Sequence, residues 1–267
     1  MSTYPSANNM LHESPKWTLI TVTYNSEKML NTFWENHTHN DLYHWVVVDN
    51  ASKDKSADIA EKMGAKVIRL SENVGFGAAN NIGFTYATTA YVSFVNPDIS
   101  VKPEDLVLLK NHIDANPNDL VSPQLINEDG SLQPNGRGYP SLVNKIRNRR
   151  LSPKLNGTYL KFALPGETKS VEWLMGAVVA GSRERLDLLG PWDERFFVYY
   201  EDSDLGLRNT KINGRSIVLG DAQWVHGWAR ETKNLSWRAW KLEIPSLIKF
   251  YSRYPRLLGI SSIQKID

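Results

Sequence analysis

The runs WTLITVTYNS at residues 17–26 and HWVVVDN at residues 44–50 decide the fold. Each is a short β-rich stretch that stops at polar side chains, Tyr24-Asn25-Ser26 after the first and Asp49-Asn50 after the second. Between them, Met29, Leu30, Phe33 and Trp34 fall on one face of a helix. Further on, Ile59, Ala60 and Met63 mark a second helix, which Gly64 closes in the manner of a C-terminal cap. KVIRL at 66–70 reads as a third strand, 77–87 as a helix, and YVSFV at 91–95 as a fourth strand ending at Asn96-Pro97-Asp98. Pro103 then opens a helix carrying Leu106, Leu109 and Ile113. This alternation predicts an α/β fold, a mostly parallel sheet with helices on both faces.

The second half loses that rhythm. Asn127-Glu128-Asp129-Gly130 reads as the turn of a hairpin. Residues 141–154, SLVNKIRNRRLSPK, hold five basic residues and no acid, and read as a mobile loop. VEWLMGAVVAG at 171–181 reads as one strand, followed by a short helix over 185–189 and another starting near Glu201. Asn213-Gly214 leads into the strand RSIVL, and 236–254 form an amphipathic helical pattern interrupted by Pro245.

Composition narrows the function. With 41% hydrophobic and 22% charged residues, 267 residues make an ordinary globular chain with a sizeable core. A net charge of +2 is too balanced for a nucleic-acid partner, which demands a basic surface. The absence of cysteine excludes disulfides, thiolate catalysis and cysteine-ligated zinc, and suits a reducing compartment. The N-terminal residues 1–16 are polar, and no stretch approaches the ~20 apolar residues of a membrane span. The expectation is a cytoplasmic protein, with peripheral attachment to a membrane left open.

Ligands of open parallel sheets bind at the carboxyl ends of the strands. Here Thr23-Tyr24-Asn25, Asp49-Asn50 and Asn96-Pro97-Asp98 would line one crevice if their strands are neighbours. An acid after the second strand can accept hydrogen bonds from a base or ribose. One after the fourth can hold a divalent cation against a diphosphate. Taken singly, each of these sites is equally well explained as a turn former at a strand end. In the segment 73–81, Gly75 and Gly77 would let backbone amides approach an anion at a helix start, though the spacing is not that of a dinucleotide fingerprint. Glu201, Asp202 and Asp204 lie in the first turn of a helix, where acids offset the helix dipole.

Together these residues resemble the family 2 glycosyltransferases, particularly the bacterial rhamnosyltransferase-like branch that builds cell-surface polysaccharides. The matching pieces are TVTYN at 21–25, VVVDNASKD at 46–54, ENVGFGAANNIG at 72–83 and FVNPD at 94–98. WLMGAVVAG at 173–181, WDERFFVYYEDSDLGLR at 192–208 and WVHG at 224–227 follow in the family's order. The resemblance implies a GT-A fold with a Rossmann-like sheet, an inverting mechanism and a divalent metal, Mg2+ or Mn2+. It implies one domain over 1–267, with a nucleotide-sugar-binding half at 17–120, an acceptor and catalytic half at 121–235 and a helical tail at 236–267. Thr23, Tyr24, Asn25, Asp49 and Asn50 then fall on the nucleoside side, with Gly75, Gly77, Asn81 and Asn96 as further donor contacts. Asp98 matches the last acid of the family's DxD metal motif, which here reads Asn96-Pro97-Asp98. His226 falls at a further metal or diphosphate contact; a histidine between Trp224 and Trp228 is otherwise a packed core residue.

By the same resemblance, Asp202 of the Glu201-Asp202 pair is the base that deprotonates the acceptor hydroxyl. Glu201 would position it or touch the acceptor, and Trp173 and Gly176 would lie on the acceptor side. Gly206 stands where this branch often carries cysteine. The implied donor is a nucleoside-diphosphate sugar, dTDP-L-rhamnose by the branch, and the acceptor a glycan or lipid-linked saccharide. A nucleotidyltransferase and a non-catalytic sugar-nucleotide-binding or glycan-binding protein are the alternatives. The basic run 141–154, with Lys249, Arg253 and Arg256 beside Phe250, Tyr251 and Leu257, suggests an anionic membrane surface as a further partner. A solvated charged face competes with that reading.

Overall fold

The computed structural model of the protein describes residues 16–35, 41–150, 159–227 and 237–258. Its first half follows the strand–helix alternation: β1 (Trp17–Thr23), α1 (Glu27–Phe33), β2 (Tyr43–Asp49), α2 (Ser56–Lys62), β3 (Lys66–Arg69), α3 (Phe76–Phe84), β4 (Tyr91–Val95), β5 (Ile99–Ser100) and α4 (Leu106–Ala115). Then come β6 (Leu120–Ile126), β7 (Gly136–Arg137), α5 (Leu142–Arg150), β8 (Leu160–Lys161), β9 (Thr168–Val171), β10 (Trp173–Leu174), β11 (Val178–Ser182), α6 (Arg183–Leu189), α7 (Glu201–Lys211), β12 (Ser216–His226) and α8 (Trp237–Arg253).

Among the described residues the main sheet has nine strands in the order β3-β2-β1-β4-β11-β6-β12-β5, with β9 also on β12. β1 runs parallel to both β2 and β4, with Thr23 opposite Asp49 and Ile20 opposite Phe94. The chain order therefore reverses at β1, and the carboxyl ends of β1, β2 and β4 open side by side. Side chains alternate between the faces of the strand. Trp17 and Leu19 pack with Leu30, Ala60, Leu109 and Ile113, whereas Ile20 and Val46 pack with Phe84, Leu186 and Leu205. Apolar side chains on both faces require helices on both, which α1, α2 and α4 supply on one side and α3, α6 and α7 on the other.

The second half departs from the sequence expectation in four places. The basic run is helical over Leu142–Arg150 rather than a mobile loop, and 151–154 lie outside the described residues. VEWLMGAVVAG is three strands rather than one, because β10 pairs with β7 in a separate three-stranded sheet while β11 pairs with β4. The strand RSIVL continues to His226, where it pairs antiparallel with β5 and sets His226 opposite Ile99. Pro245 does not interrupt α8. An interior proline costs a helix about 3 kcal/mol, which is offset where Phe250 and Tyr251 pack with Phe196, Tyr200 and Leu257. The turn at 127–130 is as read, closed by the bridge from Ile126 to Leu132 with Gly130 at φ +79°.

The packing of α8 buries the apolar residues expected to face a membrane. Phe250, Tyr251 and Leu257 are buried, Lys249 Nζ donates to the Arg195 carbonyl, and Arg253 pairs with Asp193. Among the described side chains of α8 the exposed large apolar residues are instead Leu242, Ile244 and Ile248. No helix among the described residues is long and apolar enough to cross a membrane.

Gly206 shows why α7 lies so close to β10. A Cβ there would stand 2.4 Å from the Trp173 Cβ and 2.8 Å from the Glu172 carbonyl oxygen, contacts with or next to the backbone that cannot simply swing away. Gly206→Ala gains up to about 1 kcal/mol of helix propensity, but overpacking against backbone costs about 1–3 kcal/mol. The expected result is a net loss of stability, read as a lower denaturant midpoint at unchanged slope.

Candidate active site

The strand ends converge on a cleft of about 670 Å3. Val22, Tyr24, Asn50, Asn96, Pro97 and Asp98 line it from the sheet, and Asn73, Gly75 and Phe76 from the loop before α3. Phe197 and Val198, ahead of α7, and Lys241 and Leu242 of α8 close the opposite wall.

Several residues expected to touch the donor form hydrogen bonds within the fold around this cleft. Thr23 and Asp49 are buried: the Thr23 hydroxyl donates to Asp49 Oδ1 at 3.0 Å, and the Ser52 amide to Oδ2 at 3.1 Å. Asn25, at φ +54°, accepts from the Lys53 amide through Oδ1. Asn50 lines the cleft but braces the glycine loop, donating to Asn73 Oδ1 and the Gly75 carbonyl and accepting from the Val74 amide. The loop amides have protein partners too, Gly75 N donating to Asn73 Oδ1 and Phe76 N to the Phe197 carbonyl at 2.8 Å. The loop thus shapes a wall; it does not present these amides to an anion. Gly75 is required twice over, by its φ of +92° and by the 2.6 Å that would separate a Cβ from the Phe197 carbonyl oxygen. A Cβ on Gly77 would stand 3.2 Å from the Trp192 Cβ. Asn81 is not in the cleft lining: its amide clamps the 192–194 loop, exchanging hydrogen bonds with the backbone of Trp192 and donating to Glu194.

Asp98 and His226 do meet. His226 Nε2 lies 3.4 Å from Asp98 Oδ2, because the pairing of β12 with β5 sets His226 opposite Ile99, the residue after Asp98. Gln133, which nothing in the sequence singled out, fixes the imidazole. Its Nε2 donates to Asn127 Oδ1 and to the His226 carbonyl, so its Oε1 must accept from His226 Nδ1 at 2.8 Å. In the neutral ring this leaves the Nε2 lone pair facing a carboxylate oxygen, an arrangement that a shared cation stabilises. The carboxylate–imidazole set suits Mn2+ or Mg2+ when substrate oxygens complete the shell. No group of three or more acidic, histidine or cysteine side chains among the described residues could hold a metal by itself.

The acid pair begins α7 after two left-handed tyrosines, Tyr199 at φ +70° and Tyr200 at φ +73°. Asp202 Oδ1 accepts from the Ser203 amide at 2.7 Å and its hydroxyl at 3.3 Å; Oδ2 accepts a long bond of 3.4 Å from Gly176 N. Asp202 and the cleft-lining Phe76 flank the same point, 3.7 Å and 3.6 Å from where a Cβ on Gly176 would stand. Asp202 thus neighbours the cleft-lining Phe76 across Gly176 without lining the cleft itself. Glu201 is buried, and its Oε2 has no hydrogen-bond partner among the described residues. Burial first, and Asp202 second, push its carboxyl up to about 8, so Glu201 is a neutral acid near pH 7. Asp204, also in that turn, is structural, accepting from Arg208 Nε at 2.6 Å and the Tyr254 hydroxyl at 2.7 Å. Trp173 is buried with its indole N–H on the Gly138 carbonyl, so it backs the site without opening onto the cleft.

Residues 18–166 match the family model of Glycosyl transferase family 2. The chain belongs to that family. It is a rhamnosyltransferase-like glycosyltransferase with the GT-A fold. It is 30% identical over 218 residues to the dTDP-rhamnosyl transferase RfbF of Shigella flexneri, covering 78% of this chain and 67% of that one. It is 26% identical over 206 residues to the N-acetylglucosaminyl-diphospho-decaprenol L-rhamnosyltransferase of Mycobacterium tuberculosis, covering 70% and 67%. Its fold is similar to that of the mannosyltransferase PcManGT from Pyrobaculum calidifontis in complex with GDP-Man and Mn2+, at TM-score 0.59 and 18% identity, over 91% of this chain and 65% of that one.

The raised Glu201 carboxyl gives the transferase a pH signature. A carboxyl whose folded pKa lies above its unfolded value contributes stability below the unfolded pKa and loses it as pH rises through the folded one. Glu201→Gln copies the neutral form at every pH. Its melting temperature relative to the parent should rise steadily between about pH 5 and about pH 7.5; a constant offset across that range would show Glu201 ionised in the fold.

Proposed function

We propose that the transferase moves L-rhamnose from dTDP-L-rhamnose, with inversion at the anomeric carbon, to a hydroxyl of a glycan or lipid-linked saccharide in cell-surface polysaccharide synthesis. The observation that carries this reading is the placement of Asp202 beside Phe76 and Gly176, next to the cleft that Asp98 lines. The donor and acceptor follow the relatives, one named for dTDP-rhamnose transfer and the other for a decaprenol-linked acceptor. The cleft takes the nucleoside along Tyr24 and Asn96, with the diphosphate toward Asp98. Asp98 and His226 would hold a divalent ion there, which would offset the charge of the departing diphosphate. Asp202 Oδ1 is anchored by Ser203, while Oδ2, weakly engaged by Gly176 N, takes the acceptor's proton as its oxygen attacks from the face opposite the diphosphate.

Two variants test this reading. Asp202→Asn keeps size and hydrogen bonding at the start of α7 but cannot take the proton, so turnover should fall by at least about two orders of magnitude while donor affinity holds. Turnover within a few-fold of the parent would remove Asp202 as the base. Asp98→Ala should abolish metal-stimulated release of the nucleoside diphosphate and leave the melting curve of the ligand-free protein close to the parent's. An unchanged metal response in that variant would refute the assignment of Asp98.

A further inference from the structure

The helix α5 turns one lysine of the basic run back into the protein, and the transfer mechanism leaves that lysine unused. Lys145 is half-buried as a residue, but its ammonium points inward. It lies 4.6 Å from the centroid of the Trp173 ring and 4.3 Å from that of Tyr200. Nζ donates to the Ser203 hydroxyl at 3.1 Å, and that hydroxyl donates in turn to Asp202 Oδ1 at 3.3 Å. Every donor in this chain points toward Asp202. The carboxylate oxygen at its end is the one also held by the Ser203 amide, leaving the other for chemistry.

We propose that Lys145 is a positioning residue of the transfer reaction: through Ser203 its ammonium fixes the orientation of Asp202 and keeps a compensating positive charge beside the acid pair. This inference rests on Asp202 being the base. The charged groups around Lys145 come from three elements. Arg137 of β7 opposes its charge, and Glu201 and Asp202 of α7 and Glu243 of α8 favour it. Arg137 is itself buried and donates to the Gly136 carbonyl at 3.1 Å and to Met175 Sδ. Near Asp202 and Arg137, the buried Tyr159 hydroxyl is held above its ordinary pKa, chiefly by burial, and stays neutral. Asp204 is occupied by Arg208 and Tyr254. Burial, with Arg137 adding to it, lowers the Lys145 ammonium to about 8, within reach of ordinary assay pH. A cation-π stud that merely tied α5 to Trp173 and Tyr200 would add stability and leave the pH dependence of turnover alone.

The test is release of nucleoside diphosphate with water as acceptor, from whichever of dTDP-, UDP- and GDP-sugars binds the parent in a titration. The parent's rate should decline above about pH 8 as the ammonium loses its proton. Lys145→Arg keeps the charge at high pH and should move that decline upward while retaining turnover near neutrality to within a few-fold. Lys145→Met should lower kcat at least about tenfold, the effect of one pKa unit, with the KM for donor little changed. Ser203→Ala removes the link while keeping the lysine's charge and should lower kcat in the same direction, which covers the case in which Lys145→Met does not fold. An alkaline limb that stays in place in Lys145→Arg, or kcat within about threefold of the parent in both Lys145→Met and Ser203→Ala, would overturn the proposal. If Asp202→Asn loses turnover while those variants behave as the parent, the base stands and the positioning role falls. If Asp202→Asn is active, the base itself falls.

Discussion

The hydrogen bond from the Phe76 amide to the Phe197 carbonyl, 2.8 Å long, joins the two halves of the active site. It lies where the glycine loop, at the carboxyl edge of the parallel strands, touches the segment that leads into α7. Gly75 permits the approach, since any side chain there would strike the same carbonyl. Asn81 repeats the link one turn further along α3 through the backbone of Trp192. The distance between the cleft and the acid pair is therefore set by backbone contacts, which bend less readily than side-chain contacts. A transferase that must align an acceptor hydroxyl with an anomeric carbon gains from such a fixed spacing.

The parallel half of the fold was legible in the sequence because each element there carries its own signal. The apolar runs at 17–23 and 91–95 end in polar residues, and the helices between show a repeating apolar face. The second half hides its structure because its elements are short and depend on distant partners. β10 holds two residues, and its pairing with β7 cannot be read from WLMGAVVAG by itself. The run 141–150 reads as a solvated loop until Trp173 and Tyr200 supply rings against which Lys145 can fold inward.

The same division runs through the site. Strand-end letters located the cleft, and Asn50, Asn96 and Asp98 do line it. Thr23, Asp49 and Asn81 carry the letters of ligand contacts, and in the fold they form hydrogen bonds with its own groups. A polar residue at a strand end carries the same letter whether it faces solvent or braces its neighbour. Gln133 could not be foreseen, since its role depends on contacts with His226, 93 residues further along the chain.

The two left-handed tyrosines before α7 have a wider meaning for the chain as a piece of machinery. Left-handed backbone costs a non-glycine residue roughly 1–2 kcal/mol, so the bend at 199–200 persists only while its surroundings hold it. Tyr200 packs against Phe250 and Tyr251 of α8, and Ser246 donates to the Val198 carbonyl just ahead of the bend. The C-terminal helix thus acts as a latch on the direction in which α7 starts, though it lies outside the residues that match the family model. The motif-bearing part of this transferase is for that reason not a portable cassette: transplanted without α8 it would keep every signature residue and lose the bend that aims Asp202.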